Sequence, residues 1–494
     1  MTRSSMFSLA TLVVAAAVLF FMKLGGPPLE PFDDATYADI AKNIVKTGDW
    51  LHFRWLGGAT FLEKPPLQSW LIAASFKIFG QSEFAARLFS SLCGLGTILV
   101  TVLLGRELFS SNTAGLMSGC LLLSVDSFFA YSTRVMMDVP VTFFITCTLF
   151  FFYFGLKQDR FLIWLFYGVS FALAILTKSV VGLVGPATSI LFLLATHRHQ
   201  ILTRNFLIGN CVGVLLLAPW HIWAYWRYGT IFLREYFGYH VWQRITGEIG
   251  VHRHSFWFFA QQLFETDTLL LILAIFGAVA LIYRAIRDNQ KGNWLVIIWG
   301  CSVFLPISLA RSKLFWYVVP LYPPLCIYAG YALHRLVVGS VARRVVALAL
   351  LLPFVWTAYN FQAHRMRRDW DDDPIYQLKN ALIEITAQSP PGEVFYVYRF
   401  GAAVPLTNFY ADRKAVYLFD NPAALAVFQK IPSDYVTNGF AKYLPGASDL
   451  VEFMATQRNS IFILEKATYE ELTGKTNCSL RASTSTLMFV NACN

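Results

Sequence analysis

Two charged pairs have the residue types and spacing to do chemistry: Asp33-Asp34, just past the first hydrophobic stretch, and Glu63-Lys64, followed by Pro65-Pro66. Three further clusters belong with them: Arg134 with Asp138, Thr177-Lys178 with Gly182, and Arg311-Ser312-Lys313 followed by Tyr317. Each alone has an ordinary reading. Asp33 or Asp34 suits a helix cap, Arg134 and Asp138 have the i,i+4 spacing of an ion pair, and Lys178, Arg311 and Lys313 suit headgroup contacts. His252 and His254 read most simply the same way. Gathered at one depth of a bilayer, however, carboxylates among several cations suit a reaction on a phosphorylated lipid. The cations would hold the phosphate and stabilise it as it leaves. A carboxylate would orient or deprotonate an attacking hydroxyl, or steady a sugar carbon that develops oxocarbenium character.

The elements that must position these groups are membrane helices. Of the 494 residues 56% are hydrophobic and 14% charged, where a soluble domain carries about 25% charge. Segments long enough to span lipid are expected near residues 6–24, 84–108, 113–131, 139–156, 160–177, 179–195, 204–221, 257–283, 293–310, 314–333 and 344–361. The first ends in Gly25-Gly26-Pro27-Pro28 without a small-residue cleavage site, which favours an uncleaved anchor. With the N-terminus cytoplasmic, Arg106, Lys157, Arg160, Arg198, Arg204, Arg284, Arg287 and Arg343 fall in inward loops, as the positive-inside rule requires. Those loops also account for the net charge of +10 without any nucleic-acid partner.

This topology leaves two long outward loops, near 25–82 and 222–256. In the first, Tyr37, Ile40, Ala41, Ile44 and Val45 form one helical stripe, expected to lie in the interface. The second is dense in aromatics and holds His240. We divide the chain into a membrane domain, 1–361, and a polar tail, 362–494, whose alternating helix- and strand-like stretches read as a small α/β domain outside the cytoplasm. A disulfide between Cys478 and Cys493 is compatible with that location.

Several ordered motifs resemble one family. Phe32-Asp-Asp-Ala-Thr-Tyr, Thr47-Gly-Asp-Trp-Leu, Phe61-Leu-Glu-Lys-Pro-Pro, Arg134-Val-Met-Met-Asp-Val-Pro, Thr177-Lys-Ser-Val-Val-Gly and Ser312-Lys-Leu-Phe-Trp-Tyr are similar to those of bacterial ArnT-type glycosyltransferases. These are relatives of the protein O-mannosyltransferases. The resemblance implies a polytopic all-α membrane bundle of the C type (GT-C), of about 11 to 13 transmembrane helices, with a small C-terminal periplasmic α/β domain. It implies an inner-membrane, inverting enzyme whose active site faces the periplasm. The donor would be an undecaprenyl-phosphate-linked sugar, and the acceptor a lipid A-like or other envelope glycan. Asp33 matches the leading catalytic acid, Asp34 stands where a glutamate is usual, and Asp138 matches a second acid. Lys64 matches the lysine that binds the lipid phosphate, with Lys178, Arg134, Arg311 and Lys313 expected beside it. Tyr37, Arg54 and Tyr317 are expected to line the substrate cavity. Glu63 and His252 occupy positions where the family can bind a divalent metal ion of structural kind; no other cofactor is implied. Transfer to Ser/Thr hydroxyls of secreted proteins is the alternative. A transporter, which would place its charges at the bilayer midplane in two related halves, fits poorly.

Overall fold

The computed structural model describes residues 3–55, 58–246, 252–367, 372–428, 439, 441–457, 459–473 and 479–491. The expected Cys478–Cys493 bridge lies outside the described residues. Helix α1 (Arg3–Phe21) leads to α2 (Asp33–Thr47), α3 (Leu67–Phe79), α4 (Glu83–Phe109), α5 (Asn112–Leu123), α6 (Asp126–Ser132), α7 (Asp138–Gln158), α8 (Phe161–Lys178), α9 (Val184–Thr196) and α10 (Arg204–Tyr228). Short α11 (Thr230–Leu233) and α12 (Arg244–Thr246) flank a π-helical segment, Arg234–Gln243. Then come α13 (Phe258–Thr266), α14 (Thr268–Arg287), α15 (Asn293–Leu309), α16 (Tyr322–Val337) and α17 (Val341–Arg367).

Among the described residues, five helical stretches are long and apolar enough to cross a bilayer, and α5–α6, bent by 70°, forms a sixth if counted as one. The chain is an integral membrane protein with an all-α bundle. One of the five stretches, Phe161–Thr196, is too long for a single crossing. It doubles back: Phe152 packs against both Trp164 near the start of α8 (6.1 Å) and Phe192 near the end of α9 (5.8 Å). The reversal is a 3₁₀ turn, Ser179–Leu183, so tight that a Cβ on Gly182 would lie 2.3 Å from the Ile175 nitrogen. Where α8 and α10 run together, Gly168 lets the backbones meet; a Cβ there would lie 2.1 Å from the Gly209 carbonyl.

The outward stretch before α4 departs from expectation. Neither Asp33 nor Asp34 caps α2. Phe32 holds the cap position, and both acids occupy the first turn, where the helix dipole favours negative charge. Nor does α2 lie on a lipid interface, since nearly its whole length is buried. It is covered by α3, an element absent from the sequence reading, and by the tail.

After the membrane helices come α18 (Pro374–Gln388), β1 (Val394–Tyr398), α19 (Ala403–Tyr410), β2 (Ala415–Phe419), α20 (Pro422–Phe428), β3 (Ala441–Tyr443), α21 (Ala447–Thr456), β4 (Ser460–Glu465), α22 (Lys466–Leu472), β5 (Leu480–Ser483) and β6 (Leu487–Asn491). The strands form one sheet in the order β3-β2-β1-β4-β6-β5, the first four parallel and the last two antiparallel. Residues expected as strands supply its centre. One hydrophobic core runs from the tail into the membrane part, joining Phe395, Val397 and Phe409 to Ile40, Ile44 and Phe76. Polar contacts reinforce it. Lys42 of α2 pairs with Asp412 at 2.6 Å and donates to the Phe409 carbonyl, and Lys379 pairs with Glu83 at 2.5 Å.

Candidate active site

The site begins at the N-terminus of α2, where Phe32 has φ of 63°, a costly conformation for a bulky residue. Asp33 and Asp34 follow and diverge in role. Asp34 is buried; its Oδ1 accepts the Val135 N–H at 3.1 Å, and Arg87 stands 3.9 Å from Oδ2. Arg87 also donates to the carbonyls of Leu24, Pro27 and Pro28. Asp34 therefore ties the start of α2 to the segment leading into α7. Burial pushes its carboxyl up to about 6, against the opposing charges of Arg87 and Arg134. Asp33, half-buried, faces a cavity and sits close enough to Lys64 and Arg244 for its charge to act on both.

Asp138, the first residue of α7, meets Lys178, the last of α8, at 2.6 Å. Two helix ends thus bring acid and cation together. The Lys178 ammonium lies 5.1 Å from the centre of the Tyr317 ring, and the Tyr317 hydroxyl accepts from Arg244 at 2.8 Å. Lys64 joins them, 3.9 Å from Glu63. Burial, then the charge of Arg244, lowers the Lys64 ammonium to about 8, although Glu63 and Asp33 oppose the shift. His240, on the π-helical segment, approaches Glu63 at 3.7 Å; burial, then the charges of Lys64 and Arg244, push its imidazole well below the usual range. Burial and the charges of Asp33, Glu63 and Asp138 push the Tyr37 hydroxyl well above its usual range.

Two cavities meet here. The first, about 440 Å³, is lined by the charged side chains of Lys64, Lys178, Arg244, Glu63 and Asp138 and by the apolar ones of Val180, Val184, Val303 and Ile307. The second, about 530 Å³, has Asp33, Tyr37, Trp55 and Phe61 on one side and Arg399, Phe400 and Tyr417 of the tail on the other. Glu63 lines both.

Of the expected residues, Asp33, Asp138, Lys64, Lys178, Glu63, Tyr37 and Tyr317 line these cavities. Others do not. Arg134 pairs with Glu30 at 3.2 Å rather than with Asp138 or a phosphate site. The Lys313 ammonium is spent on the carbonyls of Ala310 and His254 and so pins a loop. Arg311 is exposed; its N–H donates to the Ile245 carbonyl. Arg54 is exposed outside both cavities, and its carbonyl accepts from Asn43. His252 is exposed too, and the imidazole beside Glu63 belongs to His240. The expected Glu63–His252 metal pair is thus not assembled. Among the described residues no group of three or more His, Cys, Asp or Glu side chains gathers to hold an ion. The sequence reading missed Arg244 and passed over His240 as one aromatic-belt residue among many. A cation at the end of the aromatic loop was the only signal for Arg244.

The fold is similar to that of C-type integral-membrane glycosyltransferases, and the chain is ArnT-like in fold and sequence. It superposes on ArnT from Cupriavidus metallidurans bound to undecaprenyl phosphate with a TM-score of 0.77, covering 97% of both chains at 19% identity. An oligosaccharyltransferase from Archaeoglobus fulgidus follows at 0.59, 14% identical, covering 83% of this chain and 62% of that one. Residues 63–223 match the family described as dolichyl-phosphate-mannose-protein mannosyltransferase. In sequence the chain is 29% identical over 350 residues, 70% of its length, to an uncharacterized protein of Aquifex aeolicus. It is also 29% identical over 336 residues, 66% of its length, to undecaprenyl phosphate-α-4-amino-4-deoxy-L-arabinose arabinosyl transferase 1 of Sodalis glossinidius. The alignments span 66% and 59% of those two relatives.

Proposed function

We propose that this protein is an inverting glycosyltransferase that moves a sugar from undecaprenyl phosphate to an envelope acceptor at the periplasmic face of the inner membrane. The observation that carries this reading is the mixed lining of the first cavity. Three cations share it with many apolar side chains, which suits the phosphate and isoprenoid of one amphiphile. The likeness to arabinosyl transferases that use an undecaprenyl-phosphate donor supports it.

In this reading Lys64, Lys178 and Arg244 hold the donor phosphate and neutralise the charge that grows as its bond to the sugar breaks. Asp138 fixes the Lys178 ammonium and Tyr317 fixes Arg244, so both cations are oriented before substrate arrives. Asp33 serves the acceptor or the reacting sugar carbon. Asp34, tied to Val135 and Arg87, is a strut. In this reading the tail, 362–494, is a second domain docked on the membrane part through the shared core, where it roofs the second cavity. Purified protein incubated with a panel of undecaprenyl-phosphate sugars and membrane extract should release undecaprenyl phosphate and label one acceptor class. Movement of lipid or solute without a new glycosidic bond would sink the reading.

A further inference from the structure

We propose that the second cavity takes a neutral sugar ring whose hydroxyl, rather than a phosphate, is glycosylated, and that Arg399, Phe400 and Tyr417 of the tail select it. The inference rests on the transferase reading above and concerns only the acceptor. The two cavities differ in charge. In the first, three cations face two acids. In the second, Asp33 and Glu63 face one cation, Arg399. That guanidinium is already engaged, because its Nε and Nη2 both donate to Oδ2 of Asp420, which also accepts the Tyr398 hydroxyl. An acceptor phosphate there would meet the Asp33 carboxylate, the Glu63 carboxylate that Lys64 approaches at 3.9 Å, and a single guanidinium whose charge is largely offset.

The remaining walls suit a pyranose or furanose ring. Trp55 and Phe61 line one side, Phe400 and Tyr417 the other. Flat aromatic faces cover the C–H faces of sugars and leave the hydroxyls free to hydrogen-bond at the edges. Tyr417 is held in place by the chain itself: a Cβ on Gly401 would come within 3.0 Å of its ring. Asp33 is then required as a base, since a sugar hydroxyl, unlike a phosphate, must lose a proton to attack. The hydroxyl oxygen bonds to the anomeric carbon and its proton passes to the Asp33 carboxylate. The bond from that carbon to the donor phosphate breaks, its electron pair leaving with undecaprenyl phosphate.

Full-length protein in lipid nanodiscs, given labelled undecaprenyl-phosphate sugars and whole-envelope extract, tests this through the linkage in the product. We expect label on a glycan, stable to the mild acid that cleaves glycosyl phosphates and giving no glycosyl-phosphate signal in ³¹P NMR. Label on a phosphate, or on Ser/Thr of a protein, overturns the inference and leaves the transferase reading standing. No transfer from any donor overturns both. Arg399→Ala and Tyr417→Ala should each raise the acceptor KM about tenfold while the donor KM stays within about twofold, with Tyr417→Phe close to wild type. Unchanged acceptor KM in both alanine variants overturns the role of the tail.

Discussion

At the residue scale the two adjacent acids have divided their labour by environment. Asp34 is locked to backbone and arginine in the interior, whereas Asp33 looks into the second cavity. Asp33→Asn should therefore lower transfer by at least about 100-fold with unchanged thermal unfolding, measured as product per enzyme in a monodisperse preparation; near-normal turnover would refute its role. Lys64 gives a pH signature. Its ammonium, lowered to about 8, loses its charge as the pH rises through that value, so kcat/KM for the donor should fall above it. Lys64→Arg should move the fall to higher pH. Stability runs the other way. Between about 8 and 10.5 the unfolded chain holds this proton more often than the folded one, so Lys64 contributes added stability as the pH rises. Loss of activity without loss of stability separates a titrating site from an unfolding protein. Residue types and spacing made Asp33, Lys64, Asp138 and Lys178 legible, because charges clustered at helix ends have few other uses. Arg134, Arg311 and Lys313 have the same chemistry in sequence. Only their surroundings tell them apart: Arg134 pairs with a nearby glutamate, the Lys313 ammonium holds backbone carbonyls, and Arg311 is exposed outside both cavities.

At the scale of elements, hydrophobic runs located the long helices because a bilayer demands about twenty apolar residues in a row. Breaks within those runs were less visible. Nothing in the hydropathy of residues 113–131 announces the bend between α5 and α6, and the run 257–283 hides the break at Asp267. Helix α3 was hidden for another reason: it lies in a stretch judged by its charges and prolines, not by its period. The reversal after Lys178 matters most for the site, since it sets that ammonium at the end of α8. It depends on Gly182, whose backbone sits against α8. Gly182→Ala should force this turn open, destabilise the protein by about 1–3 kcal/mol and weaken donor binding. Scanning calorimetry and donor titration check both effects; a variant with wild-type melting and wild-type donor KM would show that the turn tolerates a methyl group.

At the scale of the whole molecule the tail is part of the fold around the site. Its strands were partly legible from alternation, yet its docking was not, because Phe409, Asp412 and Lys379 find their partners more than 290 residues earlier in the chain. Ending the chain at residue 361 would bare the apolar faces of α2 and α3 and leave the buried Lys42 without its partners. Such a truncation should express poorly and elute as aggregate in size-exclusion chromatography, and a monodisperse product would count against a shared core. Glu63, the side chain common to both chambers, carries one more consequence. Whatever one ligand does to its field is felt by the other, and thermodynamic reciprocity makes the two effects equal. If the loaded lipid tightens the hold on the incoming sugar by some factor, that sugar tightens the hold on the lipid by the same factor. The two substrates then favour each other's arrival, and removing either weakens the hold on the other by that same factor.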